Sequence, residues 1–246
     1  MLNAIREMGF DLEFTRHANT ILQVDFQDAS VELDEVISSI RIPISEMISG
    51  GGGEAKVTQR LRNELRERGW AKKVFTIKKQ VNGYASQSSS HEVDHVKEFE
   101  HGILALEIEW NNKDPFFDRD LENFLRLHQN SAISMGIIIT RGASFQSGIE
   151  GKILEYARSK GIESESDLQE LNLTRTPRQK KETERAMGSS GSFAEAWAKT
   201  FAADKFGSST THWSKLKDRL DRGVGNPCPL VAIGIPLACV EDQPSQ

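Results

Sequence analysis

Cysteine, tyrosine and tryptophan are scarce in this 246-residue chain, at two, two and four residues. Two cysteines, Cys228 and Cys239, make neither a disulfide framework nor a zinc site. The histidines at 17, 91, 95, 101 and 128 have no zinc-binding spacing. Long apolar runs are missing too. The longest, Met135–Thr140 and Leu230–Val240, fall far short of the roughly 20 residues that a membrane helix needs. The opening residues Met-Leu-Asn-Ala-Ile-Arg-Glu place a charge pair where an export leader needs an apolar core, so a cytoplasmic protein is expected. The run Gly50–Gly53 lacks the Gly-Lys-Ser/Thr end of a phosphate loop. Ser209-Thr-Thr-His212 has hydroxyls and a histidine but no nucleophile elbow around them.

What is present is ordinary for a globular protein: 37% hydrophobic and 27% charged residues. The net charge of −5 argues against coating nucleic acid through bulk charge. It leaves room for an enzyme whose carboxylates hold metal while its basic residues cluster elsewhere. The length allows one large domain or two small ones, and no internal repeat is visible.

Residues 9–26 alternate apolar and polar at first (Phe10, Leu12, Phe14) and predict a strand or a broken pair of strands. Helical spacing follows over 29–40. Gly50–Gly53 predicts a hinge, and a helix over 57–68 is stopped by Gly69. A strand is expected over 70–77, a polar, turn-rich stretch over 81–90, and two hairpin strands over 93–99 and 103–110. A helix over 118–129 has Asp118 as cap and Leu121, Phe124, Leu125 and His128 on one face. A buried strand over 133–140 and a helix over 149–159 come next. Residues 162–192 are polar and read as an insertion or lid. Helices over 193–206 and 209–220 and a short buried strand over 229–236 complete the pattern, and the tail beyond Val240 is expected to fray.

The hairpin carries the chemistry. Glu107 and Glu109 are two apart on a strand and share a face with Ile103 and Ala105, while Leu104, Leu106, Ile108 and Trp110 take the other. Two like charges on an apolar strand are costly to bury unless a cation neutralises them. Asp94, 13 residues before Glu107, can come beside it across the turn. Three carboxylates at strand ends fit a hard cation, best Mg²⁺ with Mn²⁺ as substitute. The competing reading is a solvated edge strand.

The run Val93-Asp94…Ala105-Leu106-Glu107-Ile108-Glu109-Trp110-Asn111-Asn112…Pro115-Phe116-Phe117 resembles the catalytic core of type II restriction endonucleases of the BglII and BstYI group. Gly136-Ile-Ile-Ile-Thr-Arg-Gly142 is similar to the group's next core strand. Phe14–Thr20, Leu65–Trp70 and Pro229–Pro236 resemble further segments in the same order, so the likeness runs from about residue 10 to 237. It implies an α/β restriction-endonuclease-like fold with a central mixed sheet flanked by helices, in a single domain over 1–246. It implies Mg²⁺-dependent, site-specific hydrolysis of double-stranded DNA at a short palindrome, by a homodimer. By position, Asp94 and Glu107 become metal carboxylates and the Ile108 backbone carbonyl completes the site. Glu109 departs from the group's Gln and from the wider superfamily's Lys, and matches the Glu-x-Glu of the related enzyme BamHI. It would orient or deprotonate the attacking water. Glu64, on the helix over 57–68, is a further catalytic candidate; its other reading is a solvated helix residue.

Asn111 and Asn112 fall in the loop that carries sequence readout in this group, and Asn can pair with adenine in the major groove; they equally suit a plain turn. Ser144, Gln146 and Ser147, in an expected loop over 143–148, are candidates for further base contacts. Arg175, Arg178, Lys180 and Lys181 are either phosphate contacts or a solvated face. A repair or recombination nuclease of the same fold, and a DNA-binding module without catalysis, are the competing functions. A glycosidase using the paired carboxylates is disfavoured by the few Trp and Tyr.

Overall fold

The computed structural model describes residues 2–49, 53–82 and 84–242. The expected hinge therefore lies outside the described residues except for Gly53, as does the end of the tail. In chain order the elements are α1 (Asn3–Glu7), β1 (Asp11–Thr15), α2 (Ala18–Val24), α3 (Gln27–Ser38), β2 (Ile42–Pro43), α4 (Ile44–Ile48), α5 (Lys56–Glu67), β3 (Ala71–Val81), β4 (Tyr84–Phe99) and β5 (Gly102–Glu109). Then come α6 (Phe116–Gln129), β6 (Met135–Arg141), α7 (Ala143–Ser159), α8 (Glu165–Glu170), α9 (Pro177–Met187), α10 (Phe193–Phe206), α11 (Trp213–Asp221), β7 (Leu230–Ile235) and β8 (Val240–Glu241).

Six strands form one mixed sheet in the order β1-β7-β6-β5-β4-β3. The strands β7, β6 and β5 run parallel, β1 and β4 flank them antiparallel, and β3 pairs antiparallel with β4 at the edge. Strands buried on both faces read as continuous apolar runs, and Met135–Arg141 and Leu230–Ile235 are buried at every position. Alternation sorts their side chains. Met135, Ile137, Ile139, Val231, Ile233 and Ile235 enter the larger core with α3, α5, α7 and α10. Ile138, Leu230 and Ala232 enter a smaller one with Phe117, Leu121 and Phe124 of α6 and Leu216 of α11. This is the expected α/β architecture, a mixed sheet with helices on both faces. Among the described residues no helix is long and apolar enough to cross a membrane. Both cysteines are buried free thiols.

Several local expectations are corrected. After β1 the chain does not continue as a strand: Arg16 and His17 take positive φ, and Ala18, Ile21 and Leu22 then follow helical spacing. Residues 84–90 are not a turn region but half of a long ribbon. Ser88, Ser89 and Ser90 pair with Lys78, Ile77 and Thr76 of β3, so ladder hydrogen bonds override a polar composition. Asp118 lies within the first turn of α6 rather than capping it, since the N-cap is Pro115. The buried face of α6 is Phe117, Asp120, Leu121, Phe124 and Leu127. The loop expected over 143–148 is the start of α7, because Phe145 and Ile149 bury at i, i+4 spacing. Residues 162–192 are no detached lid. Ile162, Leu168 and Leu173 belong to the larger core, and buried Thr183 hydrogen-bonds Thr200 of α10.

Gly136 lets α6 lie close on the sheet. A Cβ there would sit 2.4 Å from the Phe124 ring, and packed cores answer such crowding with side-chain and backbone strain. Gly136→Ala is expected to destabilise the protein by about 1–3 kcal/mol, read from urea unfolding. Adding Phe124→Leu should recover part of the loss.

Candidate active site

The parallel register places Glu109 opposite Thr140, and Trp110 and Arg141 come next along the chain. Thr140 Oγ1 donates to the Glu109 carbonyl at 2.7 Å and Arg141 Nε to the Trp110 carbonyl at 2.8 Å. Arg141 is fully buried. Its other nitrogens donate to Gln146 Oε1, Thr210 Oγ1 and the carbonyls of Phe206 and Thr211. The end of β5 and the loop after it are thereby fixed from the β6 side.

On the β4 side the ladder ends early. Pairing runs from Phe99↔Gly102 to His95↔Leu106. Against β3, β4 spends one residue too many between Val93 and Val96, so a bulge falls at Asp94–His95 opposite Lys72. Bulges of this kind re-aim side chains at the ends of pairing. The Asp94 N–H meets the Glu107 carboxylate at 3.4 Å instead of a strand carbonyl. Along β5 the carbonyls of Ile103 and Glu109 accept from the β6 side. Strand alternation then turns the Ile108 carbonyl toward β4, beyond the last paired residues.

Glu107 and Glu109 are 6% and 2% exposed, on the sheet face covered by α6. That helix adds a third buried carboxylate, Asp120, 1% exposed. Glu109 accepts from Asn112 Nδ2 at 2.7 Å and faces Arg119 Nη2 at 3.6 Å, while Arg119 Nη2 meets Asp120 Oδ1 at 2.8 Å. One half-exposed guanidinium is too little for three buried acids. Burial, with the Asp120 and Asp94 charges beside it, pushes Glu107 up to about 9. Burial and the Asp120 contact push Glu109 up to about 9, against Asn112 and Arg119. Asp120 is raised as well, chiefly by burial. Burial thus favours the protonated forms of these acids over the charged ones.

Asp94 stands at the rim, its side chain 58% exposed, and faces Lys72 Nζ at 3.6 Å. It opens on a cleft of about 910 Å³ lined also by Ile108, Trp110, Asn111, Asn112, Arg62 and Lys72. The structure thus brings together Asp94, Glu107, Ile108, Glu109, Asn111 and Asn112. Among the described residues, no three acidic, histidine or cysteine side chains are gathered as tightly as a bound ion would gather them. The donor set nonetheless suits a hard cation. All its donors are oxygens, the negative charge is in excess, and Asp120 Oδ2 is buried without a hydrogen-bond donor.

Other sequence candidates lie apart from this cleft. Glu64 pairs with Arg68 at 3.0 Å on the exposed side of α5, whose Val57, Thr58, Gln59 and Arg62 line the cleft instead. Ser144 accepts from the Leu237 N–H, and Ser147 donates to the Ser144 carbonyl. Gln146 is tied to Arg141 and the Phe206 carbonyl. Arg175 is nearly buried on Glu165 and Thr183, Arg178 pairs with Asp204 and Glu182, and Lys180 with Glu165. Only Lys181 of that set is exposed with no carboxylate within ion-pair distance among the described residues. Asp120 was missed by the sequence reading. The signal was there: it sits three residues after Phe117 and four before Phe124, on the apolar stripe of α6.

A family model described as restriction endonuclease BglII/BglIII matches residues 10–235. The chain belongs to this family of restriction endonucleases. No curated protein sequence matches it. As a restriction endonuclease it is a nuclease acting on DNA, and the β4–β5 hairpin with its carboxylates lies inside the matched region.

The raised carboxylates make a signed prediction for the endonuclease. A folded acid whose value is lifted from 4.5 to about 9 binds more protons than its unfolded counterpart between those limits. Stability from that group is therefore full below about 4.5 and falls as pH rises toward 9. In metal-free buffer, Glu107→Gln should melt higher than wild type, with the gap widening from pH 5 to about 9. Thermal unfolding across that range checks it; a constant gap would contradict the burial of a titrating Glu107.

Proposed function

We propose that this restriction endonuclease is of type II, a homodimer that cuts both strands of a short palindrome in double-stranded DNA with Mg²⁺ as cofactor and Mn²⁺ as substitute. The observation that carries this reading is the carboxylate set Asp94, Glu107 and Glu109 at the open end of the β4–β5 hairpin, beside an open cleft of about 910 Å³. Asp94, Glu107 and the Ile108 carbonyl would hold the cation. When bound, the cation supplies positive charge against the phosphoryl oxygens and lowers the pKa of a water.

The protein's own groups do the rest. Glu109, held by Asn112 and beside Asp120, takes the proton of the attacking water in its ionised form, which burial disfavours in the metal-free protein. Water oxygen bonds to phosphorus, the bridging P–O bond breaks, and the departing oxygen takes a proton from solvent water and leaves as the alcohol. Asn111 and Asn112 lie on the cleft wall, where side-chain amides can read base edges. Asn112 thereby links readout to Glu109. Of the basic residues between 175 and 181, Lys181 alone is open to a phosphate, since the others hold the fold.

The deciding experiment is incubation of plasmid DNA with purified protein and Mg²⁺, followed by sequencing of the ends. Defined ends at one short palindrome are expected; scattered ends or cutting only at branched or damaged DNA would favour a repair nuclease. No cutting at all, with binding retained, would favour a module without catalysis. Asp94→Asn and Glu107→Gln are each expected to abolish cleavage while duplex binding in a gel-shift assay stays largely intact, because each removes charge for the cation and no phosphate contact.

One carboxylate set can hydrolyse one strand, and a palindrome presents two equivalent strands related by a two-fold axis. Light scattering should give two chains per duplex, with both strands cut in one encounter. One chain per duplex, with nicked DNA as the stable product, would contradict the dimer.

A further inference from the structure

Hydrolysis in this cleft gathers negative charge. The phosphodiester brings one charge, attack by water adds more on the phosphoryl oxygens, and four carboxylates (Asp94, Glu107, Glu109 and Asp120) stand around the β5 end. Fixed positive charge aimed at the developing oxyanion is the main way a protein lowers such a barrier. The cations around the cleft differ in place and in how free they are. Lys56 lines it from the first residue of α5 and not from the sheet that carries the carboxylates. Lys205 is spent on the Met47 and Ser49 carbonyls. Arg62 is held by Glu54 at 2.7 Å. Arg119 lies on the other side of the carboxylates, against Asp120 and over the Phe116 ring.

Lys72 is placed differently. It comes from the second residue of β3, directly opposite the bulge that aims Asp94 into the cleft. Its Nζ is 2.6 Å from Glu92 Oε1 and 3.6 Å from Asp94 Oδ1, and its side chain is 57% exposed on the cleft wall. The longer contact, to Asp94, is the weaker of the two. A cation taking the Asp94 carboxylate would leave the ammonium held by Glu92 alone, at the rim, with donors free for a phosphate oxygen. The plain reading is that Lys72 is a surface partner for Glu92. Against it stand the register and the lining. Neighbouring Lys73 sits over the Phe75 ring and is not part of the cleft wall.

We infer that Lys72 is a catalytic residue of this endonuclease, its ammonium contacting the scissile phosphate beside Asp94 and stabilising the charge that develops there. This rests on the nuclease reading above. It assigns part of the charge stabilisation to a strand that holds none of the carboxylates. Lys72 here is a fixed charge and not a proton donor, so a guanidinium should replace it in part while a neutral side chain of similar length should not.

The test compares wild type with Lys72→Met, Lys72→Arg and Glu92→Gln. Single-turnover cleavage of plasmid DNA is measured at saturating protein with Mg²⁺. Duplex affinity is measured in metal-free buffer and folding by thermal unfolding. The expected result is a loss of about 100-fold in the saturated rate for Lys72→Met, with metal-free affinity within about threefold of wild type and the fold intact. Lys72→Arg should recover at least a tenth of the wild-type rate. Glu92→Gln should stay within about threefold, because the charge remains. A saturated rate for Lys72→Met within threefold of wild type would overturn the assignment. So would a deficit that saturating protein abolishes, which would make Lys72 a binding contact only, or an equal loss in Glu92→Gln, which would make the ion pair structural. Should Lys72→Met fail to fold, the Arg variant decides: a folded Lys72→Arg below a hundredth of the wild-type rate overturns it too. If wild type cuts no DNA with Mg²⁺, the nuclease reading fails first and takes this inference with it.

Discussion

Arg141 enters the interior at the end of β6 with no carboxylate to meet it. Burial alone pushes its guanidinium down to about 9, and what keeps it inside is a full shell of acceptors. Four are backbone or side-chain oxygens from the loop after β5, from α7, and from the end of α10 with the segment after it. The Phe206 carbonyl is a fifth, more distant one, and the Phe145 and Phe206 rings stand beside it. Losing an acceptor would leave a buried charge unsatisfied, so these segments have one mutual arrangement. The Trp110 carbonyl is one of the acceptors, and Asn111 and Asn112 come next. The placement of the candidate active site therefore rests on a residue outside it.

The charge at this end of the sheet is divided by face. Positive charge is buried on one side of the β5–β6 end and negative charge on the other, in Glu107, Glu109 and Asp120. Neither is cancelled by a close partner of equal burial. The acids are relieved by holding protons, and a cation would relieve them by displacing those protons. The same burial that costs stability would favour a dication under the proposed function. Asn112 bridges the two zones, since its side chain holds Glu109 and its carbonyl accepts from the Thr211 N–H, next to the Arg141 shell.

The bulge at Asp94 adds the remaining element. A regular strand would have continued the ladder with β5 and consumed the backbone groups that now face the opening. One extra residue in β4 ends the pairing at Leu106, turns Asp94 outward and sets Lys72 across from it. The geometry at the rim is thus a matter of register, which no single side chain dictates.

Alternation along Ile103–Trp110 was enough in the sequence to put both glutamates on one face, and the spacing from Asp94 was enough to bring a third acid near. The central strands and most helices were legible for the same reason: local periodicity reports burial directly. Local pattern misled where long-range contacts supply the driving force. The serines of β4 are strand because β3 pairs with them, and the basic run from Arg175 holds the fold because Glu165 and Asp204 come to it from other helices. Asp120, the bulge and the Arg141 shell were decided by tertiary structure alone, since each depends on which residue of a distant element arrives opposite. Sequence by itself determined which two acids stand at the end of β5; only packing decided which others join them, how they are charged and which cation stands at the rim.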